Sequence, residues 1–319
     1  MKVIHSRKYI YNDKWANDIN VLLVWFLSAI MWKHFGYDMC LYIDKHNLKL
    51  LSKYHIEELY DEINTSYFHS HKTFKHVNMQ LFWALPKLKS FYHELIELGN
   101  DCVACDTDVV PIKDLKHMWT NAELVVWSNN EFKEMKNIYP DKENLSTPRK
   151  YTYPEWVKFN AQPLNTGIIH FRRKEIAEEY LKEVFRFAYK NKNKLKNTSV
   201  QTMCVAEQLF IGNYALNKGI SYTCIQPLKH SVFNRNAFHT HSYKAFLTID
   251  TDLAQLWSID LLLMIKKFRP EYFEKLIVLE DFKVQKVYFD TYGYTWAPVP
   301  ELDKYIDELD LTEFVAKEE

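Results

Sequence analysis

The chain has 319 residues, 47% of them hydrophobic, and its 41 basic and 41 acidic residues give a formal net charge of zero. This length and apolar content are enough for one large domain with a substantial core. A chain that binds nucleic acid mainly through phosphate contacts is usually basic, so the charge balance argues against broad, nonspecific nucleic-acid binding. Five cysteines, an odd number, fit a reducing compartment better than a disulfide framework.

The amino-terminal residues 1–7 contain no apolar signal core. The strongly apolar stretch from Ile19 to Met31 is short for a membrane span and has polar residues close on both sides, so it predicts a buried helix. We therefore expect no integral membrane segment. Frequent Lys, Asn, Tyr and Phe with only 6 Gly are typical of AT-rich genomes, and we expect a cytoplasmic protein of a bacterium or of a virus-infected host cell.

Strands and helices alternate in the first third of the chain. The predicted strands are 1–5, 38–44, 60–63 and a buried strand that begins near 101. The predicted helices are 14–35, 45–54 and 76–98. Pro86, in the middle of the last of these helices, predicts a kink or a break. Such alternation is typical of an α/β fold with a mostly parallel sheet, in which ligands bind beyond the carboxyl ends of the strands.

Two aspartates one residue apart, Asp106 and Asp108, end the buried strand that begins near 101. In an extended chain, residues two apart point to the same face, so the carboxylates repel each other unless a cation lies between them. A hard divalent cation that prefers oxygen ligands is the natural partner. Taken alone, such a pair is more often a solvated turn, and the metal interpretation depends on the apolar strand before it and on motifs further along the chain.

The pattern is less regular after Pro111. The predicted strands are 123–128, 161–172 and 221–225, with strand-like patches in 276–298. The predicted helices are 174–190, 201–214 and 253–267. Residues 129–158 are polar and contain three prolines, which predicts a long loop of the kind that often forms a lid or a binding loop.

Two polar motifs lie within these ordered segments. Asn165, Thr166 and Gly167 are set among apolar strand residues. The glycine lets a backbone approach a ligand closely or forms a bulge, and an ordinary bulge with a capping asparagine is the structural alternative. Glu207 and Gln208, on a predicted helix, could hydrogen-bond a sugar hydroxyl or could simply face water.

A histidine-rich stretch, 238–246, lies far along the chain from the aspartates. An imidazole joins carboxylates around Mn²⁺ more readily than around Mg²⁺, and a lysine ammonium suits a phosphate. His239 and Lys244 are therefore candidates for a metal ligand and a phosphate contact, with His241 as a rival to His239. The alternative is an ordinary surface loop.

Four motifs thus follow one another in the chain: Asp106-Thr107-Asp108, Asn165-Thr166-Gly167, Glu207-Gln208 and His239 to Lys244. In this order they resemble those of nucleotide-sugar-dependent glycosyltransferases of the GT-A fold, in particular the retaining galactosyl- and glucosyltransferase groups with a late His-x-x-x-x-Lys motif. The resemblance covers residues 1–250 and implies a GT-A-type, Rossmann-like, mixed but mostly parallel sheet flanked by helices. Residues 251–319 are expected to form a helical and strand extension packed on the same domain.

The resemblance implies transfer of a sugar, with retention, from a nucleoside diphosphate sugar, with a UDP-sugar as the expected donor. Mn²⁺ or Mg²⁺ would neutralise the departing diphosphate. The implied metal ligands are Asp106, Asp108 and His239. The implied contacts to the nucleotide and its diphosphate are His5, Ser6, Arg7, Asp44, Asp106 and Lys244. The implied catalytic residues, on the sugar and acceptor side, are Asn165, Glu207 and Gln208. In an inverting enzyme, Glu207 would be the candidate base.

The acceptor stays open between a glycan, a lipid-linked glycan and a modified nucleic-acid base. Four aromatic residues around the long loop could stack on sugar rings or simply pack in the core; they are Trp127, Tyr151, Tyr153 and Trp156. The lysine-rich run 190–196 could meet an anionic acceptor, although a solvated helix end is the simpler interpretation. Two other functions stay open, a noncatalytic sugar- or nucleotide-binding protein of the same fold and a metal-dependent nucleotidyltransferase.

Overall fold

The computed structural model of the chain describes residues 1–8, 18–70, 76–129, 138–145, 147, 150–190, 198–226, 237–239 and 251–294. In this part of the chain, a seven-stranded mixed sheet lies between helices that cover both of its faces. The α/β architecture predicted from the sequence, a mixed and mostly parallel sheet flanked by helices, is therefore confirmed.

The strands are β1 (Lys2–Arg7), β2 (Asp38–Ile43), β3 (Glu62–Asn64), β4 (Cys102–Cys105), β5 (Val109–Pro111), β6 (Leu124–Asn129), β7 (Leu164–Phe171), β8 (Tyr222–Gln226) and β9 (Ala237–His239). The main sheet has the order β3-β2-β1-β4-β7-β6-β8. Its neighbouring strands are parallel except around β7, which runs antiparallel to both β4 and β6. The carboxyl ends of β1, β2 and β4 therefore meet at one edge, where a ligand site is expected.

A second, two-stranded sheet pairs β5 with β9 in antiparallel orientation. In this pair, Val109 lies opposite His239 and Pro111 lies opposite Ala237. Because β5 follows β4 after a short turn, the pairing brings the late histidine to the carboxyl end of a central strand of the main sheet.

The helices are α1 (Ile19–His34), α2 (Lys45–Leu51), α3 (Tyr67–Ser70), α4 (Leu85–Tyr92), α5 (Lys174–Lys190), α6 (Ser199–Cys204), α7 (Phe210–Lys218), α8 (Thr251–Phe268), α9 (Pro270–Ile277) and α10 (Lys283–Tyr292). Short 3₁₀ segments are Ser52–Tyr54, Ile56–Leu59, Lys116–Met118 and Glu280–Phe282. Two segments of the described part of the chain are π-helical. His93–Glu97 extends α4, and Val205–Leu209 joins α6 to α7.

The first helix, α1, is enclosed on several sides. Asp18 caps its amino terminus, accepting hydrogen bonds from the backbone N–H groups of Asn20 and Val21 at 2.9 and 3.2 Å. Every residue from Asn20 to Trp32 is buried, because strands cover one side of the helix and α8 covers another. This burial explains why α1 has apolar residues on all of its sides. None of the helices in the described ranges is long and apolar enough to cross a membrane.

Strand residues alternate between two apolar cores, one on each face of the sheet. Val3 of β1 and Val103 of β4 belong to the core that contains α1 and the carboxyl-terminal helices. Their neighbours Ile4 and Ala104 belong to the core that contains α4, α5 and α7. This period of two is the expected geometry of strands that are buried on both faces.

The helix predicted over 76–98 is wrong in its first part. Among the described residues the helix begins only at Leu85, so of the kink or break predicted at Pro86 the structure has the break, and this proline occupies the first turn of α4. Proline is tolerated in a first turn because its missing N–H would have no partner within the helix.

The strand-like patches predicted in 276–298 are also wrong as far as residue 294, because the described residues 276–294 contain helical segments and no strand. Gln285 and Phe289, four residues apart, form the buried side of α10. The apolar residues between them and around them were too few to separate the two periodicities from sequence alone.

The carboxyl-terminal helices pack on the rest of the molecule. Tyr272 donates a hydrogen bond to the carbonyl oxygen of Tyr54 at 2.7 Å, and Lys275 Nζ lies 2.6 Å from a carboxylate oxygen of Glu58. Residues 240–250 lie outside the described part of the chain, so the boundary expected at residue 250 stays a prediction.

Burial of Asp260 in α8 predicts a pH-dependent loss of stability. Burial raises the pKa of this carboxyl from 3.8 to about 6. The native state therefore holds the proton more tightly than the unfolded chain, and stability falls as pH rises from 3.8 to about 6. We expect Asp260→Asn to stabilise the protein by about 1 kcal/mol at pH 8, after allowance for partial solvent exposure, and by less at pH 4.5. Urea unfolding at both pH values measures this, and an equal effect at both would contradict it.

Candidate active site

The two aspartates lie in a tight turn between β4 and β5. The backbone N–H of Val109 donates a hydrogen bond to the carbonyl oxygen of Asp106 at 3.2 Å, which closes the turn. The backbone N–H of Asp106 donates to the carbonyl oxygen of Gly167 at 2.8 Å, which ties the turn to β7. The position after a buried strand agrees with the sequence prediction, whereas the extended conformation assumed for the two aspartates is replaced by a turn.

Three side chains converge at this turn. One ligand atom from each of Asp106, Asp108 and His239 lies within 4.8 Å of the others. His239 Nε2 is 3.2 Å from Asp108 Oδ1. Ligand atoms bound at about 2.1 Å to one octahedral ion lie about 3 Å apart when adjacent and about 4 Å apart when opposite, so the 3.2 Å between His239 Nε2 and Asp108 Oδ1 fits two adjacent positions around a single divalent cation. Two carboxylates with one imidazole suit Mn²⁺.

The imidazole of His239 is confined by neighbours on several sides. The ring of Trp127 meets it edge-on, with ring centroids 5.4 Å apart and an interplanar angle of 81°. A Cβ atom added at Gly167 would lie 3.0 Å from His239 Cε1 and 3.2 Å from its Nδ1. Only glycine at this position leaves the imidazole its observed place beside the aspartates.

Gly167→Ala is expected to push the imidazole of His239 away from Asp108, because the added methyl group would lie closer to the ring than ordinary contacts allow. We expect a fall in Mn²⁺ affinity of about 10-fold, measured by calorimetric titration. Gly219→Ala is the matched control, since a Cβ there meets nothing within 4 Å although its φ of +66° strains the backbone. It should lower stability and leave Mn²⁺ affinity unchanged. Equal Mn²⁺ affinity in wild type and Gly167→Ala would contradict the prediction.

A buried lysine links the turn to the helical segment that carries Glu207. Lys87 Nζ lies 2.8 Å from Asp106 Oδ1 and 2.7 Å from Glu207 Oε1. It also donates a hydrogen bond to the carbonyl oxygen of Thr166 at 2.7 Å. The exposed fractions of Lys87 and Glu207 are 5% and 2%. Lys87 was not among the residues predicted from the sequence, although it contacts both Asp106 and Glu207 directly.

The charges of this cluster favour a cation. Burial lowers the pKa of Lys87, but the Asp106 and Glu207 carboxylates outweigh it and hold that pKa above its ordinary value. Burial raises the pKa of Glu207 above its ordinary value, against the opposing effect of Lys87. Three carboxylates, those of Asp106, Asp108 and Glu207, against one ammonium leave a formal excess of two negative charges. A divalent cation would neutralise that excess.

Glu207 and Gln208 point to different neighbours, although they are adjacent in sequence. Both lie in the π-helical segment Val205–Leu209, a local irregularity that is frequent at functional sites. The Gln208 carboxamide oxygen accepts a hydrogen bond from the Tyr139 hydroxyl. Glu207 therefore faces Lys87 and the turn, while Gln208 contacts the long loop. The catalytic roles expected for both stay predictions.

Asn165 shapes the bulge in β7. Its Oδ1 accepts a hydrogen bond from the backbone N–H of Gly167 at 2.9 Å. The pairing of β6 with β7 shifts register between Val126 and Ser128, so β7 carries extra residues at this point. The structure thus contains the bulge with a capping asparagine that was the structural alternative. A catalytic role for Asn165 stays a prediction.

Residues expected to contact the nucleotide lie at the carboxyl ends of β1 and β2. The backbone N–H of Asp44 donates to the carbonyl oxygen of Arg7 at 3.4 Å, so the two ends are adjacent. Asp44 also caps α2, accepting hydrogen bonds from the backbone N–H and the side-chain amide of Asn47. The Arg7 guanidinium lies 5.8 Å from the centre of the Trp25 ring. Ser6 precedes Arg7 and is half-buried. Nucleotide contacts by Ser6, Arg7 and Asp44 stay predictions.

The structure places His5 inside the core. Its exposed fraction is 0%, and its ring nitrogens lie 2.8 Å from the Tyr60 hydroxyl and 3.3 Å from Ser28 Oγ. This position is behind the acidic turn, and a nucleotide lying on the surface would not reach the imidazole. Lys244 and the rival ligand His241 lie outside the described residues, so the phosphate contact assigned to Lys244 stays a prediction.

The aromatic residues considered for acceptor stacking mostly pack inside the protein. Trp127, Tyr151 and Trp156 are at most 7% exposed, and Tyr153 is half-buried. Tyr151 and Tyr153 contact Phe187, with ring centroids 5.2 and 6.4 Å apart. Core packing, the alternative to sugar stacking, therefore accounts for them.

Comparisons with known proteins add the following. The model of a family described as "Family of unknown function (DUF6734)" matches residues 4–279. No curated protein matches the chain. Similar solved structures include the bifunctional glycosyltransferase WbbM in its apo form (TM-score 0.40, 12% identity, covering 78% of this chain and 44% of that one). Mouse xyloside xylosyltransferase 1, apo form, is also similar, with a TM-score of 0.40 and 8% identity, covering 71% of this chain and 85% of that one. Galactosyltransferase LgtC in complex with donor and acceptor sugar analogs has a TM-score of 0.34 and 12% identity, covering 66% of this chain and 70% of that one. The match thus spans less than half of the WbbM chain.

Proposed function

We propose a function for this chain, which belongs to the DUF6734 family of unknown function, from the geometry of its acidic turn. The chain is a metal-dependent glycosyltransferase that moves a sugar from a nucleoside diphosphate sugar, a UDP-sugar, to an acceptor hydroxyl. The observation that carries this proposal is the convergence of Asp106, Asp108 and His239 beyond β4, in a cluster with two excess negative charges.

Each residue of the cluster has a task in this proposal. Asp106, Asp108 and His239 would hold Mn²⁺ or Mg²⁺, whose positive charge stabilises a departing diphosphate. Lys87 holds the Asp106 carboxylate in place and prevents repulsion between it and Glu207. Lys244 is proposed as a further contact to the diphosphate, since an ammonium suits a phosphate.

The position of Glu207 supports a retaining reaction. A general base of an inverting enzyme must reach the acceptor hydroxyl. The Glu207 side chain is 2% exposed and its carboxylate lies against Lys87, which is poor placement for that task. In the proposed reaction, the bond between the anomeric carbon and the phosphate oxygen breaks and the acceptor oxygen bonds to the same face of that carbon. The departing phosphate takes the proton of the acceptor hydroxyl.

We propose a glycan as the acceptor. Tyr139, in the segment between β6 and β7, donates a hydrogen bond to Gln208, the residue after Glu207, and long loops of this kind commonly bind substrates. A modified nucleic-acid base gains no support from the described residues, and the lysine-rich run that suggested it lies outside them apart from Lys190.

Thermal unfolding with Mn²⁺, UDP and both together tests the proposed donor site. A ligand at one hundred times its dissociation constant stabilises a protein by about 2.7 kcal/mol, which is a shift of several degrees for a chain of this size. We expect the largest shift with Mn²⁺ and UDP together. If no nucleoside diphosphate gave an Mn²⁺-dependent shift, the proposal would be wrong.

A turnover assay separates the enzyme from the alternatives of the same fold. Purified protein with Mn²⁺ is incubated with UDP- and GDP-sugars, and release of nucleoside diphosphate is followed. A glycosyltransferase slowly hydrolyses its donor and accelerates with an acceptor glycan. A noncatalytic binder shows a thermal shift without turnover, and a nucleotidyltransferase releases pyrophosphate from a nucleoside triphosphate instead.

A further inference from the structure

A chain of hydrogen bonds crosses the core from α1 to the strand that follows the acidic turn. Trp25 Nε1 donates to the Tyr60 hydroxyl oxygen at 2.5 Å, and that oxygen lies 2.8 Å from His5 Nδ1. On the other side of the ring, His5 Nε2 lies 3.3 Å from Ser28 Oγ. Ser28 Oγ in turn donates to the carbonyl oxygen of Val109 at 2.5 Å.

The first and last groups in this series of hydrogen bonds determine which group donates at each step. An indole N–H can only donate and a backbone carbonyl can only accept. Tyr60 therefore donates its proton to His5 Nδ1, and His5 carries its own proton on Nε2, facing Ser28. Burial lowers the pKa of His5 to about 3, against a smaller raising effect of Asp108, so the imidazole is neutral at physiological pH. With the His5 proton on Nε2, every polar group in this series of hydrogen bonds has its partner.

The carbonyl at the end of this chain belongs to the residue that connects the three proposed metal ligands. Val109 follows Asp108 directly, and its N–H closes the turn on the carbonyl oxygen of Asp106. On the opposite strand, its partner in the β5–β9 pair is His239. Fixing the Val109 peptide therefore fixes the relative positions of all three ligands.

We propose that His5 and Ser28 are positioning residues of the metal centre, which hold the Val109 peptide so that the three ligand groups stay at coordinating distances. This inference rests on the proposed function. It gives His5 a task within the core, in place of the contact with the nucleotide expected from the sequence. Groups that orient metal ligands without touching the ion typically change metal affinity or activity 10- to 100-fold when they are removed.

The groups that form this series of hydrogen bonds indicate a role beyond stabilising the fold. A hydrogen bond between two buried polar groups can be replaced by apolar groups of the same shape with little loss of stability. Apolar side chains would fill this part of the core more simply than an indole, a phenol, an imidazole and a hydroxyl, because each of these polar groups needs a hydrogen-bond partner when it is buried. The series of hydrogen bonds does provide one defined orientation for a backbone carbonyl beside the ligands.

The test compares three variants. Ser28→Ala removes the bond to Val109 with almost no change in volume, and His5→Leu breaks the series of hydrogen bonds at its centre. His5→Gln keeps an acceptor on one side and a donor on the other. We expect the Mn²⁺ dissociation constant to rise about 10-fold or more in Ser28→Ala and His5→Leu, with substantial recovery in His5→Gln.

Ser258→Ala is the matched control for these variants. Ser258 is also fully buried and hydrogen-bonded, to the carbonyl oxygen of Gln255 and to the side-chain amide of Gln285, within the carboxyl-terminal helices. It should lose stability as Ser28→Ala does and keep wild-type Mn²⁺ affinity. The proposal is overturned if Ser28→Ala is destabilised to the same degree as this control and binds Mn²⁺ as tightly as the wild type.

A second measurement separates this inference from the proposed function. Amide hydrogen exchange of residues 106–110 is measured in the metal-free protein. Faster exchange of these residues in Ser28→Ala, with unchanged exchange in β6, supports the positioning role of Ser28. This result holds even if the wild type does not bind Mn²⁺, whereas the lack of binding would count against the proposed function. Unchanged exchange in 106–110 overturns the positioning task whatever the wild type binds.

Discussion

Asp108→Ala is expected to abolish the Mn²⁺-dependent thermal shift and to lower sugar transfer by about 1000-fold or more. A metal ion stabilises a departing diphosphate by several kcal/mol, and each 1.4 kcal/mol corresponds to a tenfold change in rate. Asp108 is 6% exposed and its carboxylate lies 3.2 Å from His239, so the substitution removes one of the three proposed ligands from within the cluster. Thermal unfolding with Mn²⁺ and the donor hydrolysis assay measure the two effects.

Asp281→Ala is a suitable control for this variant. Asp281 pairs with Lys53 at 2.8 Å on the surface, and its side chain is 38% exposed. Removal of such a surface pair changes stability by at most about 1 kcal/mol and should leave the Mn²⁺-dependent shift intact. A shift of wild-type size in Asp108→Ala would show that the proposed ligand set is wrong, whatever the activity of that variant.

Lys87→Met is expected to destabilise the protein by about 3–5 kcal/mol and to remove its activity. The substitution leaves Glu207 buried without its cation and leaves Asp106 beside it, and removal of one partner of a buried ion pair typically has this effect. Urea unfolding measures the stability, and the donor hydrolysis assay measures the activity on the folded fraction. A change below 1 kcal/mol would mean that Glu207 is not charged in the native state or that water reaches it.

The double variant Lys87→Met with Glu207→Met separates stability from function. Replacement of both partners of a buried ion pair by apolar residues of similar volume is often neutral or stabilising. We therefore expect the double variant to recover much of the stability that Lys87→Met loses. Its activity should stay low, since the cluster would then lack the groups that orient Asp106. Recovery of full activity would show that Lys87 and Glu207 serve stability alone.

The position of the two aspartates and much of the sheet could be predicted because their signals are local. A run of small and β-branched residues from Cys102 to Cys105 predicts a buried strand, and the aspartates that follow must lie at its carboxyl end. The apolar run of α1 predicts a buried helix in the same way. In both cases, neighbouring residues carry the information that determines the structure.

Lys87 could not be predicted because its environment is tertiary. A lysine in a helix normally faces water, and periodicity assigns it to the solvent side. In α4, however, every residue from Leu85 to Phe91 is buried, so even the polar side of the helix has partners in the fold. Those partners, Thr166 and Glu207, belong to β7 and to the π-helical segment, and no spacing in the sequence relates them to Lys87.

His239 and His5 show the two limits of motif reasoning. The order of the motifs pointed to His239, although the β5–β9 pair that places it has only three residues in each strand and no periodic signal. His5 was assigned to the nucleotide because it is a polar residue near a strand end. Its burial depends on Tyr60 and Ser28, which come from two other segments of the chain.

The small β5–β9 sheet has a consequence for folding as well as for chemistry. It joins segments that are far apart in sequence, Asp108 on one side and His239 on the other, through a ladder of three residue pairs. An ion bound to both would act as a noncovalent cross-link that closes a very long loop. Cross-links that close long loops give the largest gain in folding stability, because they reduce the conformational entropy of the unfolded chain most. Metal-free protein is therefore expected to open locally at β9 before it unfolds globally, and bound Mn²⁺ should merge the two events into one transition.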